Sequence, residues 1–138
     1  MDVIRINYSH NHGFEGHDRL AREFPTIHPV TISVILFVIW YAMEHFGKEI
    51  TITCLIRSVS ENKADGGIEH SSHLTARAGD LSVKTLLLKE VEEIVAVVKK
   101  YWGDMICIVY HNAGSGLHLH INVTRAYAVG YTEVIINA

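Results

Sequence analysis

Cysteine and proline are scarce in this chain of 138 residues, with two of each. Two cysteines cannot build the disulfide framework of a small secreted scaffold. Cys54 and Cys107 both lie in apolar, strand-like runs that suit buried thiols, and a bridge between them requires their strands to be neighbours. A long hydrophobic run is also missing. The most apolar stretch, Val30 to Met43, is fourteen residues long and includes Thr31 and Ser33. A bilayer takes about twenty, so this stretch reads as a buried core helix and no membrane span is expected. The first twenty residues lack a basic segment followed by an apolar one, so no signal peptide is read and a cytoplasmic origin is expected. Basic residues are scattered and the net charge is −3 with histidines neutral. Without a basic stripe interleaved with aromatics, no nucleic-acid partner is expected.

What the chain does have is a core and histidines. Nearly half of it, 49%, is hydrophobic, enough for one domain without staples and too short for two. Residues 1–28 are polar, histidine-rich and punctuated by Gly13, Gly16 and Pro25, which predicts an irregular arm with a short helix near Asp18 to Phe24. Residues 29–138 read as a single domain. Pro29 suits the first turn of a helix that runs to Phe46 and stops at Gly47. Glu49 to Arg57 is rich in β-branched residues and reads as a strand. Its alternation puts Ile50, Ile52, Cys54 and Ile56 on one face, with Thr51, Thr53, Leu55 and Arg57 on the other.

Ser58 to Ser72 reads as a polar loop, and Ala76 to Val83 as a short strand. Thr85 to Trp102 carries an apolar stripe at helical spacing, with acids toward its start and lysines toward its end. Met105 to Tyr110 is almost continuously apolar and predicts a central strand. Leu117 to Val123 follows a turn too short for a parallel crossover, so it is the antiparallel partner. The tail, Val129 to Ala138, predicts an edge strand. The fold class is α+β: a small, mainly antiparallel sheet with helices packed on one face.

Ten histidines are present, and three stand where a metal site needs them. In Leu117 to Val123, alternation turns His118, His120 and Asn122 away from the helices. A His-x-His pair alone reads sooner as a solvated polar face than as a ligand pair. Asp80, however, falls inside an apolar strand, where a carboxylate needs a partner, and His73 lies at that strand's entrance. Zinc accepts imidazole nitrogen and carboxylate oxygen, and an open zinc site takes three protein ligands. His73, Asp80 and His120 make such a set. The competing reading pairs Asp80 with Arg77 or Arg57 and leaves His73 without a role.

Ser71, His73, Arg77, Ala78 and Asp80, followed by His118 and His120, resemble the two motifs of the zinc D-alanyl-D-alanine peptidases. That group includes D,D-carboxypeptidases, D,D-dipeptidases and phage L-alanyl-D-glutamate endolysins, and its fold group includes the hedgehog signalling domain. The resemblance covers residues 30 to 123. It implies Zn2+ bound by His73, Asp80 and His120, and a peptidase acting on peptidoglycan stem peptides. Arg57, in the stretch Cys54 to Ser58, matches the family's arginine and is implied to anchor substrate or polarise the scissile carbonyl. Ser71 is implied at the substrate. The sequence departs from the pattern at Ala76, where the family has glycine, and at Ile56, where it has tyrosine. It also has Leu117 where many members place an acid three residues before the last zinc histidine. His118 is then the candidate base, or a group that orients a ligand or the substrate; Glu69 is a further candidate from the loop.

The alternative is a structural or interaction protein on the same fold, such as a virion component that assembles with itself or with other phage proteins. Release with phage or incorporation in a virion are the corresponding ways out of the cytoplasm. Of the other histidines, His28 and His45 read as capping or surface groups, His10, His12 and His17 as part of the arm, His70 as a possible pocket wall, and His111 as a neighbour of the His-x-His strand.

Overall fold

The computed structural model describes residues 5–10, 13–64, 71–113 and 116–124. In chain order the elements are β1 (Asn7–Tyr8), α1 (Gly13–Glu23), α2 (Pro29–Phe46), β2 (Thr51–Cys54), α3 (Val59–Ala64), a 3-10 turn (Ser72–Thr75), β3 (Ala78–Ser82), α4 (Leu88–Trp102), β4 (Ile106–Ala113) and β5 (Gly116–Val123). The five strands lie in the order β1-β2-β3-β5-β4. Only β1 and β2 run parallel; the other neighbours are antiparallel. The fold is therefore the α+β class read from the sequence, with a mainly antiparallel sheet.

The stretch expected to be an irregular arm is built into the sheet. Tyr8 pairs with Ile52, α1 spans eleven residues, and Leu20 and Phe24 are buried in the core. Its polarity hid this because α1 buries only a narrow stripe and ties itself down by charge. Arg19 Nη2 donates to the Ile56 carbonyl at 2.9 Å and to Glu61 at 2.8 Å, and Glu23 accepts the Ile56 amide at 3.1 Å.

α2 begins at Pro29, where the His28 ring accepts the Val30 amide. It ends at Gly47, whose φ of 63° is a left-handed conformation that glycine adopts without penalty. By length and composition α2 could cross a membrane. Here Val34, Ile35, Val38, Ile39 and Ala42 face the core instead, against Leu81, Leu119 and Ile121. Gly79 is what lets α2 lie so close to β3: a Cβ there would stand 2.6 Å from Ile35 Cδ1 and 3.2 Å from Leu55 Cδ2. Thr31, fully buried, fixes the same contact, donating to the Arg77 carbonyl at 2.6 Å and accepting the Val123 amide at 3.1 Å.

Three expectations change. Ser58 to Ala64 is not all loop, since α3 occupies Val59–Ala64. In the described sheet β4 is an edge, not a central strand. Only its Ile106 and Ile108 are buried, while Val109 on the other face is 38% exposed. A run of apolar residues fits an edge as well as a centre. The strict alternation predicted for Glu49 to Arg57 also fails. A β-bulge between Ile52 and Cys54 sets Ile52 opposite Leu81 but Cys54 opposite Asp80. Leu55 therefore enters the core and Cys54 moves to the face of Asp80. The expected edge strand in the tail, and His12, Glu69 and His70, lie outside the described residues.

Candidate metal centre

The sheet has two faces with different chemistry. One carries Leu81, Leu119, Ile121 and Val123 into the core, each at most 2% exposed. On the other, β3 supplies Asp80, and β5 supplies His118 and His120, because side chains alternate across a strand. Asp80 sits directly opposite His120 in the β3–β5 ladder. His73 arrives from the 3-10 turn before β3. Ser71 caps that turn, its hydroxyl accepting the His73 amide at 3.2 Å. The turn closes at Ala76 in a left-handed conformation, φ 55°. Two bonds strap it to the end of β2: the Arg57 amide donates to the His73 carbonyl at 3.2 Å, and the His73 ring reaches the Leu55 carbonyl.

The three ligand candidates converge on one oxygen. Asp80 Oδ1 lies 3.1 Å from His73 Nε2, 2.9 Å from His120 Nδ1 and 3.5 Å from His118 Nε2. Asp80 Oδ2 faces Arg57 Nη2 at 3.4 Å. Asp80 is thus paired with Arg57 and not with Arg77, whose guanidinium donates to Thr75 Oγ1 at 2.8 Å and the Val123 carbonyl at 3.1 Å.

Each of the two rings has one nitrogen turned to a carbonyl oxygen and the other turned to Asp80. His73 Nδ1 is 2.6 Å from the Leu55 carbonyl. A carbonyl only accepts, so Nδ1 donates, and Nε2 is the nitrogen turned to Asp80. His120 Nε2 is 2.8 Å from Asn122 Oδ1, and Asn122 Nδ2 donates to the Val123 carbonyl at 3.0 Å. That bond sets the amide so that its oxygen faces His120 Nε2, which also lies 3.4 Å from Ser72 Oγ, while Nδ1 faces the Asp80 carboxylate. His73 Nε2 and His120 Nδ1 thus both face one carboxylate oxygen, at 3.1 and 2.9 Å. That oxygen only accepts, so what joins the groups is positive charge, a proton on an imidazole or a cation between them. A proton on His73 can supply it: burial works against that charge, but Cys54 and Asp80 outweigh burial and raise His73 to about 10. Burial also works to raise Asp80, but the hydrogen bonds from His120 and His73, with the charges of His73 and His118, hold it well below the usual carboxylate range. A divalent cation meets the same need, and the donors, two imidazoles and one carboxylate, are those zinc takes. The Leu55 and Asn122 oxygens, one against each ring, are the kind of orienting partner that metal-bound histidines use. The residues fit a zinc ion.

The other expected site residues fall near this centre in different roles. His118 is buried, 3.1 Å from His111 Nε2. Burial, and then the charges of His118 and His120, lower the pKa of His111. Arg57 is 7% exposed with its guanidinium on Asp80, and Ser71 is equally buried with its hydroxyl on the His73 amide. Leu117, at the position where the sequence lacks an acid, is 58% exposed. Among the described residues, the two groups of side chains close enough to share an ion contain one carboxylate, Asp80.

Sequence reasoning missed two participants. Cys54 was read as a buried strand thiol; the bulge brings its Sγ 3.8 Å from His73 Nδ1. Its strand is separated from that of Cys107 by β3 and β5, roughly 14 Å of sheet, so both cysteines are free. Asn122 was placed on the correct face but given no role; its position two residues after His120 on a strand was the available signal.

A family model described as Peptidase M15 matches residues 7–121. No curated protein and no solved structure matches the chain.

Proposed function

Because the chain belongs to the peptidase M15 family, we propose that it is a zinc-dependent peptidase that hydrolyses peptidoglycan stem peptides at D-alanyl or L-alanyl-D-glutamate type bonds. The observation that carries this reading is the convergence of His73 Nε2 and His120 Nδ1 on Asp80 Oδ1, with the other nitrogen of each ring turned to a carbonyl oxygen. These three residues would hold the ion. Zinc supplies a lowered pKa for a water, near 7, and a Lewis acid for a carbonyl oxygen.

The chain's own groups do the rest. His118 Nε2, 3.5 Å from Asp80 Oδ1, stands beside the metal position and takes the part of base that Leu117 cannot play. It accepts a proton from the attacking water and returns it to the leaving amine nitrogen. Arg57 holds Asp80 Oδ2 and so keeps Oδ1 aimed at the histidines. Ser71 acts by fixing the turn that carries His73.

The test is hydrolysis of purified muropeptides by the zinc-loaded protein, with His118→Gln in parallel. Turnover in the wild type, and a loss of roughly 10²- to 10⁴-fold in a variant that still holds zinc, is the expected result. A zinc-loaded wild type that cleaves none of these bonds would favour the second reading, a structural or interaction protein that kept the fold and metal. Leu117 at the acid position is the observation on that side.

A further inference from the structure

We propose that His111 and His118 form a second, weaker site for a late first-row divalent cation such as zinc, beside the first and separately filled. The proposal rests on the reading that His73, Asp80 and His120 hold the first ion.

The two residues face each other directly across β4 and β5. Their Nε2 atoms are 3.1 Å apart and the rings meet edge to face, with centroids 4.7 Å apart. Two nitrogens on one tetrahedral zinc, at about 2.0–2.1 Å each, stand roughly 3.3 Å apart. The pair is therefore already spaced to share an ion. The His120 ring lies 5.9 Å from that of His111, and ligand atoms of all three residues fall within 4.8 Å of one another. His120 is committed to the first position through Nδ1 and to Asn122 through Nε2. It can wall the second position, but the protein ligands there are His111 and His118. Two imidazoles and no carboxylate give a site that favours zinc, copper or nickel over calcium or magnesium. With half its coordination left to solvent, it binds more weakly than the first. His111 is half-buried on the outer strand of the described sheet, so an ion can reach it without opening the core.

The consequence is regulatory. An ion held by His118 Nε2 removes the nitrogen that the proposed reaction uses as base, so excess zinc acts as a brake.

The test is zinc stoichiometry by native mass spectrometry and calorimetric titration on the full chain, first dialysed and then titrated with zinc chloride. Wild type, His111→Leu, His73→Ala and His10→Ala are compared. The last variant controls for the stacked His10 and His17 rings near the N-terminus. Expected are one zinc retained through dialysis and a second equivalent taken up at least tenfold more weakly. His111→Leu should lose the second and keep the first; His10→Ala should keep both; His73→Ala should lose the tight one. A wild type that saturates at one zinc would overturn the proposal. So would a second equivalent that survives in His111→Leu or vanishes in His10→Ala. Loss of the tight zinc from none of these variants would instead remove the first-site reading, which keeps the two failures distinct.

Discussion

Leu55 and Asn122 each offer a carbonyl oxygen to one imidazole, at 2.6 and 2.8 Å, and these bonds aim both rings at Asp80. Neither residue would be a metal ligand, yet both decide what the ligands can do. Asn122→Leu should therefore free the His120 ring to turn and weaken zinc binding by roughly 10- to 100-fold while leaving the fold intact. Competition with a calibrated chelator measures this, and an unchanged affinity would mean that Asn122 does not orient the ring. His73, Asp80 and His120 were legible in the sequence for a physical reason. A carboxylate in an apolar strand and two histidines on one face of another are polar groups where burial demands partners. Cys54 was not legible, because its direction depends on a single extra residue in β2. Nor was the burial of Arg57 and Ser71, because a motif gives residue type and order but not which way a side chain turns.

At the scale of elements, the contact of α2 with β3 sets the height of the site above the core. Gly79 sits under Ile35, next to Asp80, and a methyl group there would press on the ends of the Ile35 and Leu55 side chains. Gly79→Ala should cost about 1–3 kcal/mol of stability by overpacking, seen as a lower midpoint in urea unfolding. An unchanged midpoint would show that α2 can ride up at no cost. The helices were readable: Pro29, Gly47 and the apolar stripe of α4 mark their ends and faces, and α2 runs over Pro29–Phe46 as predicted. β5 and its partner β4 were readable from alternation and a short turn. The strand order was not, because nothing in β2 or β3 says which of several apolar strands lies beside it. β1 and the first half of α1 escaped for another reason: β1 is two residues long with two ladder pairs, and α1, expected only as a short helix near Asp18 to Phe24, starts at Gly13 in a polar stretch.

The whole molecule is a sheet with its core on one side and its proposed chemistry on the other, closed at the β1–β2 edge by α1. The lock on that edge is the pair Arg19–Glu61, which ties α1 to α3. The Arg19 hydrogen bond holds Glu61 at about 2 against the opposing effect of burial, with help from the Ser58 amide. A carboxyl with a depressed folded pKa stabilises the protein above its unfolded value, near 4.5, and that contribution is lost as pH falls toward 2. Urea midpoints of wild type and Glu61→Gln should differ most above pH 5, draw together below about 4.5 and meet only near pH 2; a gap constant with pH would show that Glu61 carries no such linkage. The account's central claim is the ion on the opposite face, and metal content tests it most directly. Untagged protein, dialysed and analysed by elemental mass spectrometry beside His120→Ala, should carry about one zinc per chain that the variant lacks. Folded wild type that holds no metal, and takes up none when zinc is added, would contradict it.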